Sequence, residues 1–208
     1  MAETTVLGIL ASGRGSNLQS IIDAISIGKL AAKIGVVISD KPDANALKRA
    51  ADLNLTAVCV DRKQYKTQQE FEQALVTELK LHHVELVILA GFMRILSPYF
   101  VHAFANRIMN IHPSLLPAFP GKHAQEQAIH YGAKVSGCTV HFVDEGMDSG
   151  PIILQQTVPV LPDDTPATLA ERILQQEHVI YPQAIKLYIE NKLQIEGRMV
   201  KVVDRKND

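Results

Sequence analysis

The chain has 208 residues, enough for one α/β domain with a good core. Apolar residues make up 47% of it and 21 Lys and Arg stand against 22 Asp and Glu, so its overall charge gives no reason to expect nucleic acid or an anionic membrane as partner. Cys59 and Cys138, far apart and without a C-x-x-C spacing, suit a reducing cytosol and exclude a thiolate metal cage; the longest apolar stretch, residues 84–91, is too short to span a bilayer.

The acidic start Met1-Ala2-Glu3-Thr4-Thr5 leads straight into a strand pattern and shows no signal peptide, so a soluble cytoplasmic protein is expected. Residues 6–11 read as a buried strand, 12–17 as a turn and 18–25 as a helix with apolar spacing. Strands are predicted at 34–39 and 57–60 with a helix over 43–53 between them, then a helix over 68–82 built on Phe71, Leu75 and Leu79. Residues 84–90 form the fourth strand pattern and 108–112 the fifth, stopped by Pro113. This alternation predicts an open, mostly parallel Rossmann-like α/β sheet with helices on both faces. After Pro113 the rhythm changes. Residues 135–143 and 152–160 read as an antiparallel extension of the sheet, joined by the acidic loop 144–151. Thr165 and Pro166 look like an N-cap and first helical position, and the helix beyond them runs toward Asn191 with a kink or break at Pro182. Residues 193–203 suggest a closing hairpin around Gly197, and without repeats or linkers the chain reads as a single domain, 1–208, with halves 1–110 and 111–208.

Four segments carry candidate chemistry. In Gly13-Arg14-Gly15-Ser16-Asn17 the glycines let the backbone approach an anion, and the helix N-terminus adds N–H groups and a positive dipole end. A dinucleotide site would want a third glycine near Leu18, so a monophosphate fits better than NAD; the same residues also suit a plain strand-to-helix turn. Asp40 lies where a ribose-binding carboxylate would be, though an acid after a second strand is commonplace. Asn110-Ile111-His112-Pro113 places an amide and an imidazole on one face of a strand at its C-terminal end, the edge where ligands bind open parallel sheets. The amide suits a developing oxyanion and the imidazole carries a proton at neutral pH; the alternative is an ordinary strand end and turn. The loop from Asp144 to Pro151 has several carboxylates but the wrong spacing for an EF-hand, and its ordinary reading is a solvated hairpin loop. Residues 89–96 are oddly apolar for a loop and could wall a pocket for a flat ligand or belong to the core. His112, His123 and His141 lack zinc spacing and His82-His83 reads as an exposed helix end, so no metal is expected.

Taken together and in order, the chain resembles the folate-dependent phosphoribosylglycinamide formyltransferases from Leu7 to about Leu187. The likeness rests on Ser12-Gly-Arg-Gly-Ser-Asn17, Leu89-Ala-Gly-Phe-Met-Arg-Ile-Leu-Ser-Pro98, Asn110-Ile-His-Pro-Ser-Leu-Leu-Pro117, Pro120-Gly-Lys-His123, Gly137-Cys-Thr-Val-His-Phe-Val143, Asp148-Ser-Gly-Pro-Ile152 and Gln176-Glu-His178. The resemblance implies a nucleotide-binding half, 1–110, and a folate and catalytic half, 111–208. It implies Asn110, His112 and Asp148 as catalytic residues. Gly15, Ser16 and Asn17 would hold the phosphate of glycinamide ribonucleotide (GAR), and Glu177 its ribose. Met93, Arg94, Ile95, Leu96, Asn110 and Asp144 would meet 10-formyltetrahydrofolate, the co-substrate. His123, Thr139 and His141 would support them. Where some members have an arginine near the folate tail this chain has Gln68, and Lys66 is the substitute candidate. The partners so implied are small molecules, acted on by a monomer or homodimer, with no nucleic acid or membrane.

The implied chemistry is attack of the acceptor amine on the formyl carbon, with Asn110 and His112 steadying the oxyanion and Asp148 taking the amine's proton. A formyltetrahydrofolate hydrolase would replace the amine with water; the members considered carry an extra N-terminal domain. A methionyl-tRNA formyltransferase would need an added C-terminal domain and a basic surface. A non-catalytic nucleotide-binding module could use the Gly13–Asn17 turn alone but has no use for Asn110, His112 and Asp148 together.

Overall fold

The structure, a computed structural model, describes residues 4–203. The first three residues of the acidic start therefore lie outside the described residues. The chain divides between Asn110 and Ile111 into two compact units.

The first unit is a parallel sheet of β1 (Thr5–Leu10), β2 (Ala32–Ser39), β3 (Ala57–Cys59), β4 (Leu86–Leu89) and the start of β5 (Ile108–His112), in the order β3-β2-β1-β4-β5. Leu7, Ile9, Leu10, Leu86, Val87 and Ile88 are fully buried, which is why β1 and β4 read as continuous apolar runs. Helices α1 (Ser16–Ser26), α2 (Asn45–Asp52) and α3 (Gln68–Leu81) connect the strands. Thr67 and Glu70 form a capping box that starts α3. Strands 1 to 3 step outward in one direction, and the chain then crosses back to lay β4 on the other side of β1. With right-handed crossovers this reversal puts α1 and α2 on one face and α3 on the other, and opens a crevice at the C-terminal ends of β1 and β4. A short helix, α4 (Pro98–Ala103), packs on α3.

The second unit has the antiparallel pair β6 (Val135–Phe142) and β7 (Ile152–Pro159), with Val135 opposite Pro159 and Val140 opposite Leu154. The predicted terminal hairpin is present as β8 (Leu193–Glu196) and β9 (Met199–Val202), and β9 joins β7 in parallel at Met199 and Ile152. Two helices, α5 (Ala124–Tyr131) and α6 (Pro166–Ile189), complete it, with α6 packed on both β6 and β7. The predicted break at Pro182 is absent: α6 continues for 24 residues with Pro182 inside it. An internal proline costs a helix about 3 kcal/mol. Ile180, Tyr181 and Ile185 are buried around it, each worth roughly 1.5–3 kcal/mol, so tertiary burial carries the helix through. Helices α4 and α5 were not anticipated because six and eight residues are too short to show a 3.6-residue period. Among the described residues no helix is long and apolar enough to cross a membrane.

The start of α6 is fastened by Asp164, which accepts two hydrogen bonds from the Arg172 guanidinium (2.7 and 2.9 Å) and others from Thr168 Oγ1 and the Leu161 N–H. The guanidinium beside it holds the Asp164 carboxyl well below the usual carboxylate range. A depressed pKa stabilises the fold above the unfolded carboxylate value and loses that contribution as pH falls. Asp164→Asn should therefore lower the melting temperature at pH 7, and the gap to wild type should close as pH is lowered below about 4. Paired thermal melts across that range measure it.

Candidate active site

In the first unit the chain leaves β1 through Ser12 and turns into α1 at Gly15, the helix N-cap, whose φ is +72°. A Cβ at Gly15 would stand 3.0 Å from Cα and Cβ of Ala46, and left-handed backbone is unfavourable for other residues, so glycine is required twice over. The Ala46 N–H donates to the Gly13 carbonyl (3.0 Å), tying the first turn of α2 to this loop. No side chain caps α1, so its first-turn N–H groups and positive dipole end stand at the C-terminal edge of β1, a setting that favours an anion.

The loop after β4 borders the same crevice. Ser12 fastens its beginning: the Ser12 N–H donates to the Gly91 carbonyl and the Met93 N–H donates to Ser12 Oγ, both at 3.0 Å. Arg94 donates through Nε to Asp40 at 2.5 Å, and its guanidinium lies over the Phe71 ring, 5.6 Å from the centroid. Asp40, weighed above as a ribose ligand, is thus the buried partner of Arg94. Phe92 and Leu96 are buried, whereas Met93 and Ile95 are 62% and 63% exposed. The segment is therefore both core and wall: two apolar residues anchor it and two are held out toward solvent. Lys66 is exposed, with its backbone N–H on Glu70, while Gln68, also exposed, donates through its side-chain amide to Glu72 and to the Ile95 carbonyl. Asn110 lies opposite Leu89 in the register between β5 and β4.

In the second unit the structure brings His112, Asp148 and His141 together. His112 is buried; its Nε2 lies 2.9 Å from the Phe119 carbonyl and its Nδ1 3.4 Å from Asp148 Oδ2. A carbonyl can only accept, so Nε2 carries a proton, and Nδ1 faces the Asp148 carboxylate. The same Asp148 oxygen accepts the Gly121 N–H at 2.7 Å. The backbone of residues 119–121 thus holds both side chains, a carbonyl for one and an N–H for the other. Phe119 and Asp148 both take positive φ, +53° and +49°, conformations that cost non-glycine residues on the order of 1–3 kcal/mol and cluster at functional sites.

Thr139, fully buried, donates to the Ser114 carbonyl (2.7 Å) and accepts from the Leu116 N–H and the Gln155 amide, which fixes the turn leaving His112. Asp144 Oδ1 accepts from the Gly146 N–H and Ser149 Oγ, closing its own loop. Arg198, in the β8–β9 turn, donates to the Ser149 carbonyl at 2.8 Å. His123 stands apart, exposed at the start of α5 with Nδ1 3.7 Å from Glu126. Glu177 is buried in α6 near Cys138, whose thiol is pushed up to about 12 first by burial and then by that carboxylate. Phe119, Gly121 and Gln155 were missed in the sequence. The first two act through backbone atoms, and only the density of Pro and Gly between 113 and 121 hints at a fixed irregular loop there.

Residues 7–185 match the sequence profile of the family described as formyl transferase. The chain belongs to that family. It is 43% identical to the phosphoribosylglycinamide formyltransferase of Bacillus subtilis (strain 168), over 86% of this chain and 91% of that one. It is 45% identical to the trifunctional purine biosynthetic protein adenosine-3 of Drosophila melanogaster over 88% of its own length, but spans only 14% of the fly protein. The crystal structure of glycinamide ribonucleotide transformylase 1 from Symbiobacterium toebii superposes with a TM-score of 0.96 at 50% identity, covering 98% of this chain and 96% of the other.

His141 sits against Asp148 with Nε2 3.9 Å from Oδ1, and its Nδ1 lies 2.8 Å from the Phe142 carbonyl. Burial lowers its pKa below the ordinary imidazole value of 6.5, against a smaller opposing pull from the Phe142 carbonyl and Asp148. A ring-resonance titration by NMR should find His141 still neutral at pH 6.5. Asp148→Asn, by removing a nearby negative charge, should lower its midpoint further.

Proposed function

We propose that the chain transfers the formyl group of 10-formyltetrahydrofolate to the amine of GAR, giving formyl-GAR and tetrahydrofolate in de novo purine synthesis. The observation that carries this reading is the His112–Asp148 pair, held by the 119–121 backbone in a member of the formyl transferase family. The two free cysteines suit a cytoplasmic enzyme.

The phosphate of GAR takes Gly15, Ser16 and Asn17 at the uncapped start of α1, and its ribose takes Glu177. Met93, Arg94, Ile95 and Leu96 form the folate wall, with Asn110 and Asp144 as further contacts; the exposed apolar side chains of Met93 and Ile95 support this assignment because a flat ring would remove them from water. Lys66 takes the folate tail, since Gln68 is committed to Ile95 and Glu72. The amine nitrogen attacks the formyl carbon, a C–N bond forms, and the tetrahedral intermediate collapses with cleavage of the bond to folate N10. The Asn110 amide and His112 stabilise the oxyanion. Asp148 accepts the proton shed by the amine and returns it to N10 as the bond to the formyl carbon breaks, so the carboxylate is regenerated. No covalent enzyme intermediate forms, and holding two substrates in contact supplies several kcal/mol of the acceleration.

Mixing the protein with both substrates and following folate absorbance should show tetrahydrofolate release that depends on GAR. His112→Ala and Asp148→Asn should each lower kcat by roughly a hundredfold to ten-thousandfold in a folded protein. Formyl loss without an amine acceptor would instead make the chain a hydrolase, and near wild-type turnover in His112→Ala would remove that residue from the mechanism.

A further inference from the structure

Glu72 is a carboxylate that the proposed chemistry does not use. It sits one turn into α3 at 1% exposure, where an acidic side chain is costly unless its oxygens are satisfied. Its partners all lead to one place. Oε1 accepts the Ser97 N–H at 2.9 Å and the Gln68 amide at 2.8 Å, and Oε2 accepts a short hydrogen bond from the Ser97 hydroxyl. The Gln68 amide uses its second hydrogen on the Ile95 carbonyl at 3.2 Å. Both ends of the Ile95–Ser97 backbone are thereby held from α3.

Ser97 makes the commitment plain. It is the N-cap of α4, directly before Pro98, a position whose hydroxyl ordinarily accepts from the helix's own first turn. Here it makes no such cap and donates to Glu72 instead. Because Ser12 and Asp40 already hold Gly91, Met93 and Arg94, the Glu72 clamp completes a polar scaffold along the whole loop. Without it the exposed apolar side chain of Ile95 would gain by folding inward.

We propose that Glu72, acting through Gln68 and Ser97, is a positioning residue for reduced-folate binding that fixes the Met93–Leu96 wall in its ligand-ready conformation. This rests on the assignment of that wall to folate. Glu72→Gln keeps the shape but removes the charge. Its carbonyl can still accept the Ser97 N–H and the Gln68 amide, while its NH2 meets the Ser97 hydroxyl only if that hydroxyl turns to accept. Neutral hydrogen bonds thus replace the stronger charge-assisted ones. Tetrahydrofolate binding by titration calorimetry should weaken by about tenfold, the size expected when a hydrogen bond to a charged group is lost. GAR affinity should stay within about twofold of wild type, because the Gly15–Asn17 turn does not depend on the clamp. Ser97→Ala, which deletes one hydroxyl, should move folate affinity the same way and combine with Glu72→Gln less than additively, as residues in one network do. It also keeps the test readable if Glu72→Gln does not fold. Unchanged folate affinity in a folded variant, or equal losses for folate and GAR, would overturn the proposal. A wild-type protein that binds tetrahydrofolate but transfers no formyl group to GAR would overturn the proposed activity while leaving the clamp test intact. A wild type that does not bind folate overturns both.

Discussion

Ser12 holds the two loops that border the crevice of the first unit, and it does so with its backbone N–H and its side-chain oxygen. The need for such a fastening follows from topology. Where the strand order reverses between β1 and β4, the connections depart to opposite faces and leave a gap at the C-terminal edge that no helix fills. A gap of that kind binds ligands only if its rims keep their spacing. Ser12 ties Gly91 and Met93 to the end of β1, Asp40 ties Arg94 to the end of β2, and Ala46 ties the start of α2 to Gly13. The rim is thus fixed by short polar bonds between consecutive strand ends, whereas its exposed surface is apolar at Met93 and Ile95.

The second unit solves a similar problem with backbone atoms. His112 and Asp148 come from distant parts of the chain, and two residues of one loop, Phe119 and Gly121, hold them with a carbonyl and an N–H. Gly121 has φ +79°, a backbone conformation that strains any other residue, so the bracket tolerates little at that position. Thr139 steadies the preceding turn from β6 through Ser114 and Leu116, and Gln155 reaches the same hydroxyl and the Leu116 carbonyl from β7. Strand rigidity is passed in this way to an irregular segment with positive-φ residues.

Much of this was legible in the residues themselves. Strands buried on both faces announce themselves as apolar runs, and Pro113 marked where β5 had to stop. Asn110 and His112 could be singled out as candidates because an amide and an imidazole carry their polar chemistry in the side chain, where the sequence displays it. What could not be read was of three physical kinds. Elements as short as α4 and α5 carry no period. The course of α6 through Pro182 was decided by what Tyr181 and its neighbours bury, which a local rule about proline does not see. Roles performed by main-chain atoms, as at Phe119 and Gly121, leave no residue signature. Glu72 is the sharpest example: a charged side chain is rarely buried, and only the donors arriving from Ser97 and Gln68 make its burial tolerable.

The guanidinium of Arg198 has a practical corollary for anyone handling this chain. The residues that reach the Ser149 carbonyl and extend β7 at Met199 lie C-terminal to residue 185, where the family match stops. An expression boundary drawn at the end of that match would keep every side chain assigned to chemistry yet discard the strut that braces the hairpin next to Asp148. Trimming for crystallisation, or fusing a partner immediately after α6, would leave a protein whose sequence looks intact and whose acidic loop has lost its outer support.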